Sequence, residues 1–341
     1  YLWRNFLRQA PINIRVIAID QLGMGYSERL GSDRVLEQRV DDLTRVVAAL
    51  EITTPIVSLA HDWGGPISLG WVENEIRSGG HRIAGVVLLN TAVHQPKEFN
   101  KPAIIRLARA RGLLAPITEY SQGFVLATRI LSGKKMSREV AAGFRAPYRK
   151  RVSRKAIHGF VADIPFEEDH VSRAPLDHIA EGLSLLCNTP VLMCWGPNDP
   201  VFSDLYLRDL KGRLPHAVVH RYGGASHLVS EDAPTLVGDV FNWIGSPSGT
   251  QSEFSSESDG DLVDLGAAMR EQATVRPTAI GLTAMSEARN QSWHELETLT
   301  NSYSDYLSQR GVTAGDRVAF LVPPGPLLIP LIYATWNLGA A

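Results

Sequence analysis

The chain has 341 residues, enough for one large domain or two, and 44% of them are hydrophobic, which supplies a substantial core and excludes disorder throughout. Thirty-four Lys and Arg against thirty-six Asp and Glu leave a net charge of −2, with no global positive excess to draw nucleic acid by counterion release. Cys187 and Cys194 are the only cysteines and offer neither a disulfide framework nor a zinc-ligand spacing. No apolar run approaches the roughly 18 to 20 residues of a membrane span, so the expectation is a cytoplasmic protein without a transmembrane segment.

Tyr1 is not an initiator Met, and Ala341 falls just beyond an apolar helical run from Leu327 to Leu338, so both ends read as cut from a longer protein. Along the chain, short β-branched runs alternate with longer segments of helical period, the pattern of a mostly parallel sheet covered by helices, and the fold class is α/β. Ile14 to Asp20 predicts the first buried strand. A helix follows in which Leu36, Val40, Leu43, Val47 and Leu50 share one face. Ile56 to Ala60 predicts the next strand, Gly65 to Glu75 a helix, and Ile83 to Leu89 a third strand. From about Val93 to Glu181 strand signals give way to arginine-rich helical patterns, which predicts an inserted helical cap. The sheet rhythm resumes at Pro190 to Trp195 and Ala217 to Tyr222, and Leu236 to Ile244 predicts a closing helix.

Ser246 to Gly260 holds six serines in fifteen residues, a linker composition that places a domain boundary between residues 1–245 and 261–341. Beyond it, a short helix over Asp261 to Gln272, Ala279 to Leu282, a helix over Trp293 to Gln309, a turn at Gly315, a strand over Arg317 to Val322 and the last apolar helix begin a second, partial α/β unit.

The chemistry concentrates at Leu59-Ala60-His61-Asp62-Trp63-Gly64-Gly65, where a strand turns sharply into a helix. Small residues at Ala60, Gly64 and Gly65 suit a nucleophile elbow, in which strand and helix pack closely around a strained, exposed residue. The slot holds a carboxylate, Asp62, favoured as an anion by the helix dipole and able to attack carbon and form an ester. An aspartate before a helix also serves as a simple N-cap. Two further residues favour catalysis. Asp199 lies in Gly196-Pro197-Asn198-Asp199-Pro200 after one predicted strand and His227 in Gly223-Gly224-Ala225-Ser226-His227 after the next, in the chain order nucleophile, acid, base, all at the carboxyl edge of the sheet. In those roles His227 activates water and Asp199 fixes and stabilises the imidazole. His61 adjoins Asp62 but is expected to point away from it. His158, His170, His178, His216 and His220 lack the context of His227. The consecutive Glu167, Glu168, Asp169 and His170 fit no metal cage and read as solvated surface.

These residues carry a resemblance. The elbow, the turn Asp20-Gln21-Leu22-Gly23-Met24-Gly25-Tyr26-Ser27-Glu28, the opening Tyr1-Leu2-Trp3-Arg4-Asn5 and the loops around Asp199 and His227 resemble the haloalkane dehalogenase branch of the α/β-hydrolases over roughly residues 1 to 245, a pattern that epoxide hydrolases partly share. The resemblance implies an α/β-hydrolase fold, Asp62 as nucleophile, Asp199 as acid, His227 as base, and Trp63 as the residue whose indole N–H holds a leaving group or developing oxyanion. Some dehalogenases carry the acid after the strand before the cap, where this chain has Asn90, which cannot serve. The family's His-Gly-Asn-Pro loop, which supplies a further donor before the Tyr-Leu-Trp-Arg-Asn stretch, is absent. Losing one such donor costs about 10²- to 10³-fold, which predicts weak activity for this chain by itself.

Residues from about Arg276 to Ala341 resemble the start of the adenylate-forming, acyl-CoA ligase-like enzymes, on Trp293-His294-Glu295-Leu296, Gly311 to Ala319 and Pro323-Pro324-Gly325-Pro326. The phosphate loop of that family would lie beyond Ala341. ATP and Mg²⁺ are therefore expected only for a complete adenylate-forming domain, and no cofactor or metal for the hydrolase domain. The pairing resembles the fused β-lactone decarboxylase and β-lactone synthetase family of bacterial long-chain olefin biosynthesis. It implies a long-chain, lipid-like β-lactone as substrate, cis-alkene and CO₂ as products, and assembly with other enzymes of that pathway.

In the cap, Ile104, Ile105, Leu107, Leu113, Leu114, Phe124, Val125, Leu126 and Ile130 are available to line an apolar pocket or to pack the cap on the core. The basic run Arg145, Arg149, Lys150, Arg151, Arg154 and Lys155 reads as a solvated face or as an attachment surface. Two rivals remain open: a haloalkane dehalogenase or epoxide hydrolase, the latter with Tyr120 and Tyr148 as oxygen donors, and a non-catalytic docking scaffold.

Overall fold

The structure is a computed structural model and describes residues 1–29, 32–95, 106, 113–127, 131–245, 265–284, 289–314, 316–320 and 325–340. Its contacts divide the chain into two units, Tyr1–Phe254 and Ser255–Ala341. In the first, a short helix α1 (Arg4–Gln9) and the amphipathic α2 (Leu36–Ala49) precede β1 (Ile56–His61), α3 (Gly64–Ser78) and β2 (Ile83–Leu89). The chain returns to the sheet at β3 (Val191–Trp195) and β4 (Val218–Arg221), with the helix Asp204–Arg213 between them and Leu236–Gly245 after them. The four strands lie in the order β1-β2-β3-β4, every pair parallel.

Side-chain alternation sorts this sheet into two apolar layers. Val86, Leu88, Val191, Met193 and Trp195 face a core built with α2, α3 and the helices Arg173–Gly182 and Asp204–Arg213. Val87, Leu89, Leu192 and Cys194 face a second core made by Phe6, Val229 and Leu236, Val237, Val240 and Trp243 of the closing helix. All are nearly free of solvent, which is why these strands read as continuous hydrophobic runs. Between β2 and β3 the described residues form only helical segments, among them Gly123–Ala127, Arg138–Arg145, Arg151–Ala162 and Arg173–Gly182, and these are the cap.

One expected strand is corrected. Ile14 to Asp20 runs without a ladder partner among the described residues, and Ile17 is substantially exposed. β-branched composition favours an extended backbone, but a strand needs a neighbour for its N–H and C=O groups, and among the described residues β1 is paired only with β2.

The second unit contains the helix Leu265–Val275, an antiparallel pair β5 (Ile280–Ala284) and β6 (Arg289–Ser292), the helix Trp293–Gln309 and the helix Leu328–Asn337. Ser292 starts the long helix with a reciprocal capping box: its hydroxyl accepts from the Glu295 N–H, and the Glu295 carboxylate accepts from the Ser292 N–H. The strand expected over Arg317 to Val322 does not form over the described residues 316–320, which have no pairing partner; residues 321 and 322 lie outside the described residues.

Candidate active site

β1 ends at His61 and α3 begins at Gly64, and the turn between them holds Asp62 at φ +51°, a left-handed conformation that a non-glycine residue adopts only when its surroundings enforce it. Three hydrogen bonds do so: the Asp62 N–H donates to the Asn90 carbonyl (3.1 Å), while the Gly65 N–H (2.9 Å) and the Thr91 hydroxyl (2.6 Å) donate to the Asp62 carbonyl. The close approach of helix and strand is made at Gly65, where a Cβ would stand 1.9 Å from Thr91 Oγ1. Gly64 has only Ala60 Cβ nearby, at 3.9 Å, so the elbow's steric demand rests on one glycine rather than two.

Asp199 and His227 come to the same edge, in the turns after β3 and β4. His227 Nδ1–H donates to Asp199 Oδ2 at 2.9 Å, and Asp199 Oδ1 accepts from the Val201 N–H at 2.7 Å. On its other side His227 Nε2 stands 3.6 Å from Asp62 Oδ2. Both Asp199 and His227 are buried, whereas the Asp62 side chain is 41% exposed, opening into the cavity described below. The two loops pack backbone to backbone: a Cβ on Gly196 would lie 2.3 Å from the Ser226 carbonyl.

The electrostatics follow from this sandwich. Burial opposes a charge on His227, but the hydrogen bonds and negative charges of Asp199 and Asp62 outweigh it and push the imidazole up to about 10. Burial likewise opposes the charge on Asp62, and His227, with the Trp63 backbone N–H, overcomes it and holds the carboxyl below its usual range. Both shifts favour a charged Asp62–His227 pair.

Trp63 stands at the head of α3, its ring edge-on to Phe160 (centroids 6.3 Å apart), and its indole nitrogen has no partner among the described residues. It borders a cavity of about 450 Å³ whose floor is Asp62 and His227 and whose wall is largely apolar. Phe124 and Val125 of the cap line it as the sequence allowed. Leu113 and Leu126 are exposed instead, Leu114 is not in the wall, and Ile104, Ile105, Leu107 and Ile130 lie outside the described residues. A large part of the cap's contribution comes from a stretch the sequence did not single out: Ile157, Phe160, Val161, Ile164 and Phe166.

Two other residues were missed. His61 was expected to point away from the site; its ring sits 4.8 Å from that of His227, and its Nε2–H donates to the His227 carbonyl at 2.8 Å. Burial, aided by the charge on His227, lowers His61 to about 4 and keeps it neutral. Asp232 is buried and accepts from the Ser226 N–H beside the base, and from Ser132 Oγ and the Gly133 and Lys134 N–H groups, fastening residues 132–134 to the His227 loop. Neither position carries a signal in the sequence, because both act through contacts between distant segments.

The remaining candidates separate by place. Tyr120 is exposed beneath the Arg151 guanidinium and is not in the cavity wall. Tyr148 is in the wall, and its hydroxyl oxygen accepts the Gly25 N–H at 2.9 Å. Most of the basic run is engaged within the fold: Arg145 donates to Gln122, Arg151 pairs with Glu119, buried Arg154 donates to the carbonyls of Glu119, Tyr148 and Arg149, and Lys155 is engaged as well. Glu167, Glu168 and Asp169 are exposed, and no cluster of three potential metal ligands occurs among the described residues. Nor is any helix among them long and apolar enough to cross a membrane.

A family model of the α/β-hydrolase fold matches residues 1–234, and a model of AMP-binding enzymes matches residues 269–341. The chain is 31% identical over 239 residues to a cis-3-alkyl-4-alkyloxetan-2-one decarboxylase of Shewanella oneidensis, covering 68% of this chain and 74% of that protein. It is 30% identical over 245 residues to the protein of the same name from Xanthomonas campestris pv. campestris, covering 68% and 79%. Among solved structures, haloalkane dehalogenase DatA from Agrobacterium tumefaciens C58 superposes with a TM-score of 0.64 at 20% identity, over 72% of this chain and 84% of that one, which shows a common fold.

Proposed function

Since the chain belongs to the α/β-hydrolase fold family and, within it, to the family of the cis-3-alkyl-4-alkyloxetan-2-one decarboxylases, we propose that it is a β-lactone decarboxylase that releases a cis-alkene and CO₂ from a long-chain β-lactone. The observation that carries this reading is the ionised Asp62 on the floor of a large apolar cavity, backed by His227 and Asp199. A lipid-like substrate needs such a wall, and a strained ring needs only one well-placed anion to open it.

Asp62 attacks the sp³ carbon that bears the ring oxygen; that C–O bond breaks, leaving an ester of Asp62 and a freed carboxylate on the opened chain. The indole N–H of Trp63, a donor without a partner among the described residues, meets the negative charge that develops on the opening ring. The C–C bond to the freed carboxylate then breaks and CO₂ leaves, its electron pair forms the alkene, and the C–O bond to Asp62 breaks and returns the carboxylate, with His227, held in orientation by Asp199, balancing the charge. No cofactor takes part in these steps; ATP and Mg²⁺ belong to the chemistry of a complete adenylate-forming domain, of which residues 269–341 match the AMP-binding model. Cytoplasmic location and assembly with enzymes of the same pathway complete the proposal.

The test supplies a long-chain cis-β-lactone and follows alkene and CO₂ by gas chromatography, beside Asp62→Asn and a haloalkane of matched chain length. Alkene that disappears in Asp62→Asn supports the proposal. Halide release without alkene replaces it with a haloalkane dehalogenase, the second reading that the common fold favours. An epoxide hydrolase with paired tyrosine donors is disfavoured by Tyr120, which lies outside the cavity wall.

A further inference from the structure

Asn90 follows β2 at the position where some dehalogenases carry their acid, and its amide cannot serve as that acid. It is wholly buried and held at φ +25°, toward the left-handed region that asparagine tolerates better than most residues. Its carbonyl accepts the Asp62 N–H at 3.1 Å. Its side chain clasps the turn that bears the acid: Oδ1 accepts the Gly196 N–H at 2.7 Å, and Nδ2 donates to the Gly196 carbonyl at 3.0 Å. The same Nδ2 donates to Asp199 Oδ2 at 2.9 Å.

That oxygen is the one that accepts the His227 Nδ1–H. Two donors converge on Asp199 Oδ2 while the Val201 N–H occupies Oδ1, so the carboxylate cannot rotate without leaving a buried donor unpaired. We infer that Asn90 is a positioning residue of this site: its side-chain amide orients the Asp199 carboxylate toward His227 Nδ1 and thereby fixes the imidazole opposite Asp62. The inference rests on the reading of Asp62, Asp199 and His227 given above. A carboxylate at position 90 would lack the N–H, and would set two like charges about 3 Å apart, where a pair of acids shares one proton. One residue thus links the backbone of the nucleophile to the side chain of the acid, a coupling that neither loop achieves alone.

The experiment compares Asn90→Leu and Asn90→Asp with the parent protein, using Asp199→Asn as the reference for a lost acid. The titration of His227 is followed by NMR of the ¹⁵N-histidine-labelled protein without substrate, and kcat and KM are then measured with the β-lactone. In Asn90→Leu the His227 midpoint is expected to fall by about one unit or more toward that of Asp199→Asn. There kcat falls about 10- to 100-fold, and KM stays within about threefold. Asn90→Asp keeps the size of the residue and the acceptor for the Gly196 N–H, so it decides the matter if Asn90→Leu does not fold; its acidic limb of kcat moves to higher pH. A His227 titration and a kcat that match the parent in a folded variant overturn the inference and leave Asn90 a purely structural link. If the parent protein makes no alkene, the functional reading fails, but the substrate-free titration still judges Asn90.

Discussion

The sheet edge and the cap divide the labour of this site unequally. The edge supplies the three interacting polar groups: Asp62, Asp199 and His227 project from three turns that follow parallel strands, each braced by backbone hydrogen bonds. The cap supplies apolar surface from Phe124, Ile157, Phe160 and their neighbours, while its Arg145, Arg151 and Arg154 turn to Gln122, Glu119 and main-chain carbonyls. Reaction type is therefore set on a rigid scaffold and substrate size on an appended helical layer, so substitutions in the two regions should fail in different ways.

The largest effect is expected at the edge. Asp62→Asn removes the nucleophile and should lower alkene formation by about 10⁴-fold or more with KM little changed; substantial residual turnover would break the comparison at its root. Asp199→Asn should cost about 10³- to 10⁴-fold in kcat, because the imidazole loses its orienting partner while the cavity stays intact. Trp63→Phe keeps the ring against Phe160 but deletes the indole N–H, and a loss of about 10²- to 10³-fold is expected, measured as kcat on the same lactone. In the cap the pattern reverses. Phe124→Ala should raise KM for a long-chain lactone by about tenfold and leave kcat within about twofold, and a short-chain lactone should not register the change.

The smallest effect is on stability, and its sign follows from the charge array. His227 is raised in the folded protein from 6.5 to about 10, so the stability it contributes is fully present below pH 6.5 and is lost as the pH rises toward 10. Asp62 is depressed from 3.8, so its contribution is present above that value and fades as the pH falls. Thermal unfolding from pH 6.5 to 10 should therefore show a larger fall in Tm for the parent than for His227→Gln. Equal falls would mean that the imidazole is not held as a cation between the two carboxylates.

Much of this was legible before any coordinates. The strands at 56–61, 83–89, 191–195 and 218–221 stand within one residue of their expected bounds, and the inner two, 83–89 and 191–195, are the short apolar runs that burial on both faces demands. The helix Trp293–Gln309 falls on its expected bounds, and the structure adds the Ser292–Glu295 capping box that starts it. Ile14 to Asp20 failed for the opposite reason: its composition permits a strand, but pairing is a property of a neighbour and not of the segment.

The amino-acid order by itself determined the α/β rhythm, the elbow and the sequence Asp62, Asp199, His227, because local backbone demands and strand order are written in consecutive residues. Only the tertiary structure decided which side chains brace them. His61 on the His227 carbonyl, Asp232 fastening residues 132–134 to the His227 loop, and Asn90 clasping Gly196 and Asp199 join positions that are 166, 98 to 100 and 106 to 109 residues apart. Contacts of that separation leave no periodicity and no motif, and they exist only once the strands have brought their ends to one edge.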